Sequence, residues 1–458
     1  METSETKAII AEYVKRARVA QKAIDSYSQE QVDALVRAVA KAIYDNAEYL
    51  ARLAVDETRM GVYEDKVTKN KGKAKVIYNS LKGVKSVGVI RRDRSAGIVE
   101  IARPVGVVCS VTPCTNPIVT PMCNAMFALK GRNTIVIGPH PRSKKASSEA
   151  VRIMNEALAK LDAPENLIQI IEEPTIELSA ELMRQCDVVV ATGGPGVVKQ
   201  AYSSGKPAYG VGAGNVQCIM DRGIDYSVEV PKAVAGRAFD NGIICSGEQT
   251  AILPAELYDD IIKEYEKAGC YYVDDPETVQ KLTDAIFPNG VMNKNLVGVS
   301  AAKVAEAAGI KLPKDKKVIL VKAPAYGKKC LLSKEKMCPV VSAYKYNSFR
   351  QAITIAQANL DVEGRGHSVA IHSLNRKHLE QAGKRLTASR ILVNQICATM
   401  NGGALTNSLT PTTTLGCASW GGNSISENFS HKFLLNVIRI AYPLDKKKVP
   451  TDEEIWAD

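Results

Sequence analysis

The middle of this sequence alternates short apolar runs with amphipathic helical segments, and this alternation restricts the fold more than any other feature. The strand-like and helical segments cover residues 105–111, 133–137, 147–161, 167–171, 177–185 and 187–192. Strands joined by helical crossovers pair in parallel, because each crossover returns the chain to the same end of the sheet. The pattern predicts an α/β fold with a parallel sheet wound in the Rossmann-like, dinucleotide-binding manner.

A second β/α series begins near Pro231, and the chain before residue 85 has helical spacing. The strand-like runs of this second series include residues 317–321, 368–371 and 390–393. In the N-terminal part, Ser28 and Gln31 stand three residues apart before an apolar helical face. This spacing is typical of a capping box, which predicts a helix starting there.

Two β-type segments stand outside both series. Residues 86–104 alternate around a turn at 94–97, which predicts a hairpin, and residues 434–442 form an apolar strand-like run near the C-terminus. From these patterns we expect three units, divided as follows. The dinucleotide-binding domain takes 1–85 and 104–230, the catalytic domain 231–430, and a small β oligomerisation element 86–103 and 431–458.

The net charge of +11 comes from 60 basic and 49 acidic residues, and it favours an anionic partner. Aromatic residues make up only 5% of the chain and do not interleave with the basic runs, so platforms for stacking nucleic-acid bases are not expected. Phosphate-bearing cofactors are the simpler interpretation of the charge. We therefore expect no nucleic-acid partner.

Eleven cysteines are spread along the 458 residues without a CxxC pair or a Cys/His cluster of zinc-ligand spacing, so we expect no disulfide scaffold and no metal. No apolar run approaches the roughly 18–20 residues that span a bilayer, and the start lacks the features of a signal peptide. We expect a cytoplasmic protein with no membrane partner.

One cysteine has surroundings that differ from those of a core thiol. Cys245 follows Gly242 by three residues and is followed directly by Ser246 and Gly247, so it lies on a turn that can present its sulfur. Nucleophilic cysteines need such access together with a lowered pKa. A structural cysteine beside a glycine remains the alternative.

Three other loops carry candidate functional groups. Asn116 is held between two prolines, where its amide could act as a fixed donor to an oxyanion, or where it could form an ordinary Asn-Pro turn. Glycine-bearing turns follow strand-like runs at 192–196 and 210–215. Glycine there lets the backbone approach a phosphate or simply permits a tight turn.

In this order, the Asn-Pro loop, the two glycine turns, the Gly-x-x-Cys segment and the Glu335-containing segment 334–339 resemble the aldehyde dehydrogenase superfamily over nearly the whole chain. Segments 60–66, 204–215 and 411–424 are similar to the CoA-acylating branch, which includes bifunctional aldehyde–alcohol dehydrogenases. They are most similar to acylating succinate-semialdehyde dehydrogenases. We expect the aldehyde dehydrogenase part alone, without an iron-dependent alcohol dehydrogenase domain.

The resemblance implies reversible, NAD(P)H-dependent reduction of succinyl-CoA to succinate semialdehyde and CoA through a thioester on Cys245. Asn116 and the Cys245 backbone N–H would hold the oxyanion. His367 would assist proton transfer to the leaving CoA thiolate or, equally, anchor its loop. Hydrolytic family members carry a general-base glutamate where this chain has Gly210–Gly214, so CoA rather than water is expected to resolve the thioester. A hydrolytic aldehyde oxidase and a nucleic-acid or scaffolding protein are the other function classes.

For the cofactor, NADP or NAD, the resemblance implies that Glu335 binds the nicotinamide ribose. The other expected contacts are Thr112, Pro113, His140, Arg142, Ser143, Lys144, Thr192, Gly193, Gly194 and Gly212. NAD-selective relatives carry an acid after the strand that ends near 138, whereas residues 138–145 here contain no acid and three cations. We predict that NADPH is accepted in addition to NADH.

The substrate carboxylate would need a cation, and Lys66, Lys69 and Lys73 are spaced to share one helical face. Lys73 is the first candidate, with Lys69 and the Ser246 hydroxyl as further donors; a solvated basic face and an acetaldehyde or other short-chain substrate are the alternatives. A homodimer or homotetramer is expected to form through the hairpin and the C-terminal strand.

Overall fold

The computed structural model describes residues 3–444 and 447–458. Its helices are α1 (Thr3–Ile24), α2 (Gln29–Asp45), α3 (Ala47–Thr58), α4 (Tyr63–Leu81), α5 (Val119–Lys130), α6 (Lys144–Ala159), α7 (Ile176–Gln185), α8 (Pro195–Tyr202), α9 (Tyr226–Ala238), α10 (Tyr258–Lys267), α11 (Pro276–Ile286), α12 (Ala301–Ala307), α13 (Phe349–Val362), α14 (Arg376–Arg385), α15 (Cys397–Met400) and α16 (Asp452–Trp456). The predicted capping box at the start of α2 is present, with both reciprocal hydrogen bonds.

Fifteen strands in the described residues form three sheets. They are β1 (Gly88–Asp93), β2 (Ile98–Pro104), β3 (Val107–Val111), β4 (Thr134–Gly138), β5 (Ile168–Ile170), β6 (Val188–Thr192), β7 (Ala208–Val211), β8 (Gln217–Met220), β9 (Thr250–Pro254), β10 (Cys270–Val273), β11 (Val318–Lys322), β12 (Val340–Tyr346), β13 (Gly366–His372), β14 (Ala388–Val393) and β15 (Leu435–Ala441).

The first sheet is parallel throughout, with the order β5-β4-β3-β6-β7. Its strands are almost entirely buried because helices cover both faces: α2, α5 and α6 on one side, and α1 and α7 on the other. Strands buried on both faces need continuous apolar sequence, which is what the runs of this region contain. The predicted parallel α/β sheet is confirmed.

The second sheet is also parallel and has the order β10-β11-β12-β9-β8-β13-β14. Strand β8 belongs to it, so the chain passes between the two sheets at residues 212–216, ahead of the boundary at 230 expected from the sequence. Pro231 does not mark the start of this series, because it lies inside α9. Four apolar-rich residues, 217–220, suffice for a central strand here, which is too short a run to assign from sequence.

The third sheet is antiparallel, with the order β1-β2-β15. The hairpin and the C-terminal strand predicted from the sequence are therefore paired with each other. Ile438 and Ile440 on β15 remain largely exposed. Within the described residues, no helix is long and apolar enough to cross a membrane.

Candidate active site

A cavity of about 200 Å³ lies between helix α4, the turn that carries Cys245, and the segment that follows β14. Its walls bring together Asn116, Cys245, Ser246, Lys69 and Lys73, all of which the sequence nominated. The remaining wall is mostly apolar and small: Thr68, Gly72, Val76, Val119, Phe239, Ile244, Ala398, Thr399, Gly402, Gly403, Ala404, Thr412, Thr413 and Leu415. No aspartate or glutamate is among these lining residues in the part of the chain that the structure describes.

The turn before Cys245 has three consecutive residues in the left-handed region: Asp240 (φ 52°), Asn241 (φ 53°) and Gly242 (φ 68°). Two of these are not glycine, so the surrounding structure must hold them there. The Asn241 amide donates to the carbonyls of Gly298 (3.0 Å) and Gly61 (3.3 Å). At Gly242 a Cβ would lie 2.8 Å from the Cys338 carbonyl oxygen, so glycine is required.

Asp240 is held by two lysines from α4. Its carboxylate accepts hydrogen bonds from the ammonium groups of Lys69 (2.6 Å) and Lys66 (3.0 Å) and from the Val62 backbone N–H (2.9 Å). The side chains of Asp240, Lys66 and Lys69, which form a charged triad, are all buried. Burial alone would raise the pKa of Asp240, but the ammonium groups of Lys69 and Lys66 outweigh it and lower that pKa. The triad therefore fixes the left-handed turn that precedes the cysteine.

This triad changes the interpretation of Lys69. Its ammonium lines the cavity but is paired with Asp240, and it also reaches the Thr115 carbonyl at 3.4 Å. A cation already paired with a buried carboxylate has less to offer a second one. Lys69 was nominated from sequence as a substrate contact, but its ammonium is paired with Asp240 and holds the turn before Cys245. Helix spacing alone does not show which partner a lysine meets.

Lys73, one turn further along α4, has different surroundings. Its partly buried ammonium donates to the carbonyls of Gly402 (3.0 Å) and Thr412 (3.3 Å) and forms no salt bridge with any carboxylate of residues 3–444 and 447–458. Removal from water lowers the pKa of Lys73 to about 8. A partly buried cation without a counter-ion, in the wall of a cavity, is suited to an anionic ligand.

Cys245 is half-buried on its turn, as the sequence predicted. Burial, together with the Glu335 carboxylate and the Cys417 thiol, raises the pKa of its thiol to about 12, although the Arg390 guanidinium acts in the opposite direction. Cys245 packs against the cluster of Val211, Leu415 and Cys417. The ionisation of Cys245 therefore depends on the cations around it.

Asn116 precedes α5 and lines the cavity beside Cys245. Its backbone carbonyl accepts from the Thr120 N–H at 3.3 Å, which fixes the loop. Its side-chain amide forms no hydrogen bond with the described residues and remains available to a ligand. Ser246 differs, because its hydroxyl donates to the Ala398 carbonyl at 3.0 Å and so helps to hold the cavity wall.

The Gly212–Gly214 loop packs between the Cys245 backbone and the Glu335 carboxylate. Gly214 N–H donates to Glu335 Oε1 at 2.9 Å, and a Cβ on Gly214 would lie 1.8 Å from the Cys245 carbonyl oxygen. Burial, with the nearby Glu363 carboxylate, raises the pKa of Glu335 to about 7. Glu335, expected to bind the nicotinamide ribose, thus lies close to Cys245.

Other residues nominated for the cofactor fit a bound nucleotide. The Thr112 and Thr192 hydroxyls are buried without a hydrogen-bond partner among the described residues. Space is open where side chains would stand at Gly194 and Gly212, so backbone there can approach a ligand. Gly193 differs, since a Cβ there would press on Val197 at 3.3 Å.

Several side chains of the basic segment after β4, which the sequence nominated as cofactor contacts, already have partners within the protein. Lys144 forms a salt bridge with Glu173, and the buried Ser143 hydroxyl donates to the His140 carbonyl at 3.3 Å. The His140 ring accepts from the Arg142 N–H at 3.1 Å. Ser143 therefore does not present its hydroxyl at the surface, and it acts as a local brace of the turn.

Sequence analysis did not predict the acidic residue, Glu57, that lies at the start of α6. The Glu57 carboxylate, from the end of α3, accepts from the N–H groups of Lys145 (2.8 Å) and Ala146 (2.7 Å) at the start of α6. No local signal could have shown it, because Glu57 and Lys145 are 88 residues apart. Arg142 reaches the Thr58 carbonyl at 3.4 Å and forms no salt bridge with any residue that the structure describes.

His367 is wholly buried at the start of β13 and is not among the cavity-lining residues. Both of its ring nitrogens lack a partner within the described part of the chain. Burial, with the Arg390 charge, lowers the pKa of His367 to about 3, so the ring is neutral at physiological pH. No contact with Cys245 supports a proton transfer between them.

Sequence reasoning also missed Arg390 and Glu248. Arg390 interrupts the apolar run of β14, and a charge inside such a run is the signal that could have found it. Glu248 follows Cys245 by three residues; its carboxylate accepts from the Cys397 N–H at 2.6 Å, and burial raises its pKa to about 8. It holds the segment that forms one cavity wall. No cluster of three metal-ligating side chains occurs within the described ranges.

Comparison with known proteins agrees with this geometry. Residues 3–293 match the sequence model of the aldehyde dehydrogenase family. The chain belongs to that family, and it is an oxidoreductase of the CoA-acylating branch, as its motifs predicted. Accordingly, it uses a nicotinamide cofactor and CoA, and its substrates are an acyl-CoA and an aldehyde.

Among curated relatives, the succinate-semialdehyde dehydrogenase (acetylating) of Clostridium kluyveri is 52% identical over 98% of both chains. The sulfoacetaldehyde dehydrogenase (acylating) of Bilophila wadsworthia is 39% identical, also over 98% of both. Among solved structures, an acetylating aldehyde dehydrogenase from Geobacillus thermoglucosidasius superposes with a TM-score of 0.93 at 38% identity, covering 98% of this chain and 99% of that one.

Proposed function

We propose that this enzyme catalyses the reversible, NAD(P)H-dependent reduction of succinyl-CoA to succinate semialdehyde and CoA through a thioester on Cys245. The observation that carries the choice of substrate is the partly buried ammonium of Lys73, which has no counter-ion among the described residues, in the wall of the Cys245 cavity. The two curated relatives described above are named for aldehydes that carry an acidic group. A cavity with a free cation suits that class.

In the reducing direction, the Cys245 thiolate attacks the thioester carbonyl and the carbon–sulfur bond to CoA breaks, leaving the acyl group on Cys245. The nicotinamide, when bound, supplies the hydride that reduces this acyl group. The Asn116 amide and the Cys245 N–H donate to the oxygen as it gains charge in both steps, each donor contributing about 2.7–4 kcal/mol. The oxyanion then re-forms a carbonyl as the carbon–sulfur bond to Cys245 breaks, which releases the aldehyde and restores the thiolate.

The cavity wall also explains why CoA rather than water resolves the acyl group in the oxidative direction. Water has a pKa of about 15.7, so it needs a general base beside the thioester. No carboxylate lines this cavity in the described residues, and the neighbouring Glu335 carboxylate accepts from the Gly214 N–H at 2.9 Å. A thiol with a pKa of about 8.5 needs far less help. His367, buried and neutral, has no proton-transfer role in this mechanism.

For the cofactor, we propose that NADPH is used in addition to NADH. Arg142 and Lys145 are exposed cations without a salt bridge to any described residue, and they flank the start of α6. The Glu57 carboxylate accepts hydrogen bonds from two backbone N–H groups at that helix start, and its negative charge repels a 2′-phosphate there. The two effects together favour dual use over strict selection.

We also propose a homodimer as the minimum assembly in a reducing, cytoplasmic setting. Strand β15 lies at an edge of its three-stranded sheet and exposes Ile438 and Ile440. An apolar sheet edge is a ready site for pairing with a second copy. Light scattering at micromolar concentration should give at least twice the chain mass, and a monomeric mass would contradict this.

The substrate assignment is tested by replacing Lys73 with Met, which keeps the side-chain stem and removes the charge. We expect kcat/KM for succinyl-CoA to fall about 10-fold or more, because a charge-assisted hydrogen bond is lost, while butyryl-CoA is largely spared. Lys71→Met is the matched control, since Lys71 lies on the same helix and pairs with Glu48 away from the cavity. Equal losses on both substrates, or a native preference for acetyl-CoA, would replace the succinyl assignment with a general short-chain one.

A further inference from the structure

Arg390 is a buried arginine whose hydrogen bonds all go to uncharged groups. Its guanidinium donates to the carbonyls of Gly416 (2.8 Å) and His367 (2.8 Å), to Ser368 Oγ (3.3 Å) and to Asn428 Oδ1 (3.3 Å). It forms no salt bridge in the part of the chain that the structure describes. A guanidinium that is buried without a carboxylate is costly, so its charge calls for a functional partner.

The hydrogen bonds of Arg390 tie together two segments of the active site. One is the start of β13 at His367, and the other is the turn at Gly416 and Cys417. Cys417 belongs to the small apolar cluster with Val211 and Leu415 against which Cys245 packs. Arg390 does not line the cavity, so it acts on Cys245 through the Gly416–Cys417 turn and through its charge.

We propose that Arg390 is a positioning residue that clamps the Cys417 turn against Cys245 and supplies the positive charge favouring the Cys245 thiolate. This inference rests on the proposed role of Cys245 as nucleophile. It explains how the thiol can ionise although no histidine is among the cavity-lining residues of the described chain. The cation–thiolate arrangement uses a permanent charge, because arginine keeps its proton throughout the physiological range.

Other groups around Cys245 act on the same ionisation. The charged and titratable neighbours are Lys73 on α4, Glu335 before β12, Cys397 on α15, Cys417 and Arg390. Glu335 opposes the thiolate, and the two neighbouring thiols do so if they ionise. Lys73 and Arg390 favour it, but Lys73 loses its own proton near pH 8 whereas Arg390 does not. Arg390 is thus the cation that persists as pH rises.

The test measures the rate constant at which iodoacetamide alkylates Cys245 at about pH 8, read by mass spectrometry of the Cys245 peptide. Arg390→Gln and Arg390→Met remove the charge, and Met keeps the buried stem; circular dichroism checks that both variants are folded. Both should lower the alkylation rate constant about 10-fold or more, because a rise of about one unit in the thiol pKa lowers the thiolate fraction about tenfold. Arg390→Lys should restore most of the difference. Unchanged rate constants in folded Gln and Met variants would overturn the proposal.

Two further variants separate charge from general disturbance. Arg365→Gln removes an exposed arginine from the segment just before β13, where it pairs with Asp361, and should leave the alkylation rate constant at the wild-type value. Ser368→Ala removes one Arg390 hydrogen bond and keeps the charge, so its rate constant should also stay at that value. A loss in Ser368→Ala as large as that in Arg390→Gln would overturn the role of the charge. Failure of the proposed function is distinct: Cys245→Ala would then still reduce acyl-CoA.

Discussion

The Lys69 ammonium lies 2.6 Å from the Asp240 carboxylate, and this buried pair supports the left-handed residues that lead to Cys245. Lys69 lies on α4 and Asp240 just after α9, 171 residues later in the chain. Lys69, which the sequence nominated as a substrate contact, therefore stabilises the turn before Cys245. Lys73, one helical turn further along α4, has no carboxylate partner among the described residues and can pair with a ligand in the cavity.

Cys245→Ala should abolish reduction of acyl-CoA while leaving cofactor binding largely intact, because only the covalent intermediate is lost. Incubation of the wild type with succinyl-CoA alone should add one succinyl group to Cys245, seen by mass spectrometry. Cys114→Ala is the matched control, since Cys114 is also partly exposed. Acylation of a cysteine other than Cys245 would place the mechanism elsewhere.

Asp240→Asn should destabilise the protein by about 3–5 kcal/mol, because it leaves two buried lysines without their counter-ion. The urea unfolding midpoint measures this, and activity should fall with it as the Cys245 turn loosens. Asp45→Asn, which breaks only the exposed pair with Lys41, should change stability by less than about 0.5 kcal/mol. A loss for Asp240→Asn as small as the Asp45→Asn change would contradict the role of the triad.

The same pair sets a pH dependence of stability. The pKa of Asp240 is lowered in the folded protein, so the stability it contributes is fully present above its unfolded pKa of about 3.9. That contribution is lost as pH falls through the lower, folded pKa. Unfolding midpoints measured between pH 6 and the acid range should therefore drop less steeply for Asp240→Asn than for the wild type.

Substrate preference should also depend on pH. Because the pKa of Lys73 is lowered to about 8, its charge is present below pH 8 and is lost as pH rises through that value. The ratio of kcat/KM for succinyl-CoA to that for butyryl-CoA should fall above pH 8, and the ratio cancels the ionisation of Cys245, which both substrates share. A flat ratio from pH 6 to pH 9.5 would exclude Lys73 as the carboxylate partner.

Arg142→Ala should lower kcat/KM for NADPH about 10-fold while sparing NADH, since only the 2′-phosphate loses a charged partner. Arg152→Ala on the outer part of α6, where Arg152 pairs with Glu149 and Glu156, is the control. Glu57→Gln should shift preference towards NADPH. Wild-type turnover of NADPH more than a hundredfold below that of NADH would refute dual use.

The order of strands and helices was accessible from sequence because burial on both faces requires apolar runs, and amphipathic helices require apolar residues at helical spacing. Cys245 and Asn116 were accessible because glycine and proline reveal unusual backbone locally. Lys69 and Glu57 were not, since their roles depend on partners 171 and 88 residues away in the chain. The partner of Ser143 is local, but the burial of its hydroxyl depends on packing by other segments.

The sequence by itself thus determined the parallel α/β fold, the hairpin and the branch of the family, since each of these is carried by local pattern or by a contiguous motif, and it nominated Cys245 as the nucleophile. Only the tertiary structure decided which cations are free. Lys69 and Lys73 are identical residues on one helical face, and what separates them is whether a buried carboxylate from another part of the chain lies within reach. Charge compensation is a property of three-dimensional packing, and spacing along the chain does not encode it.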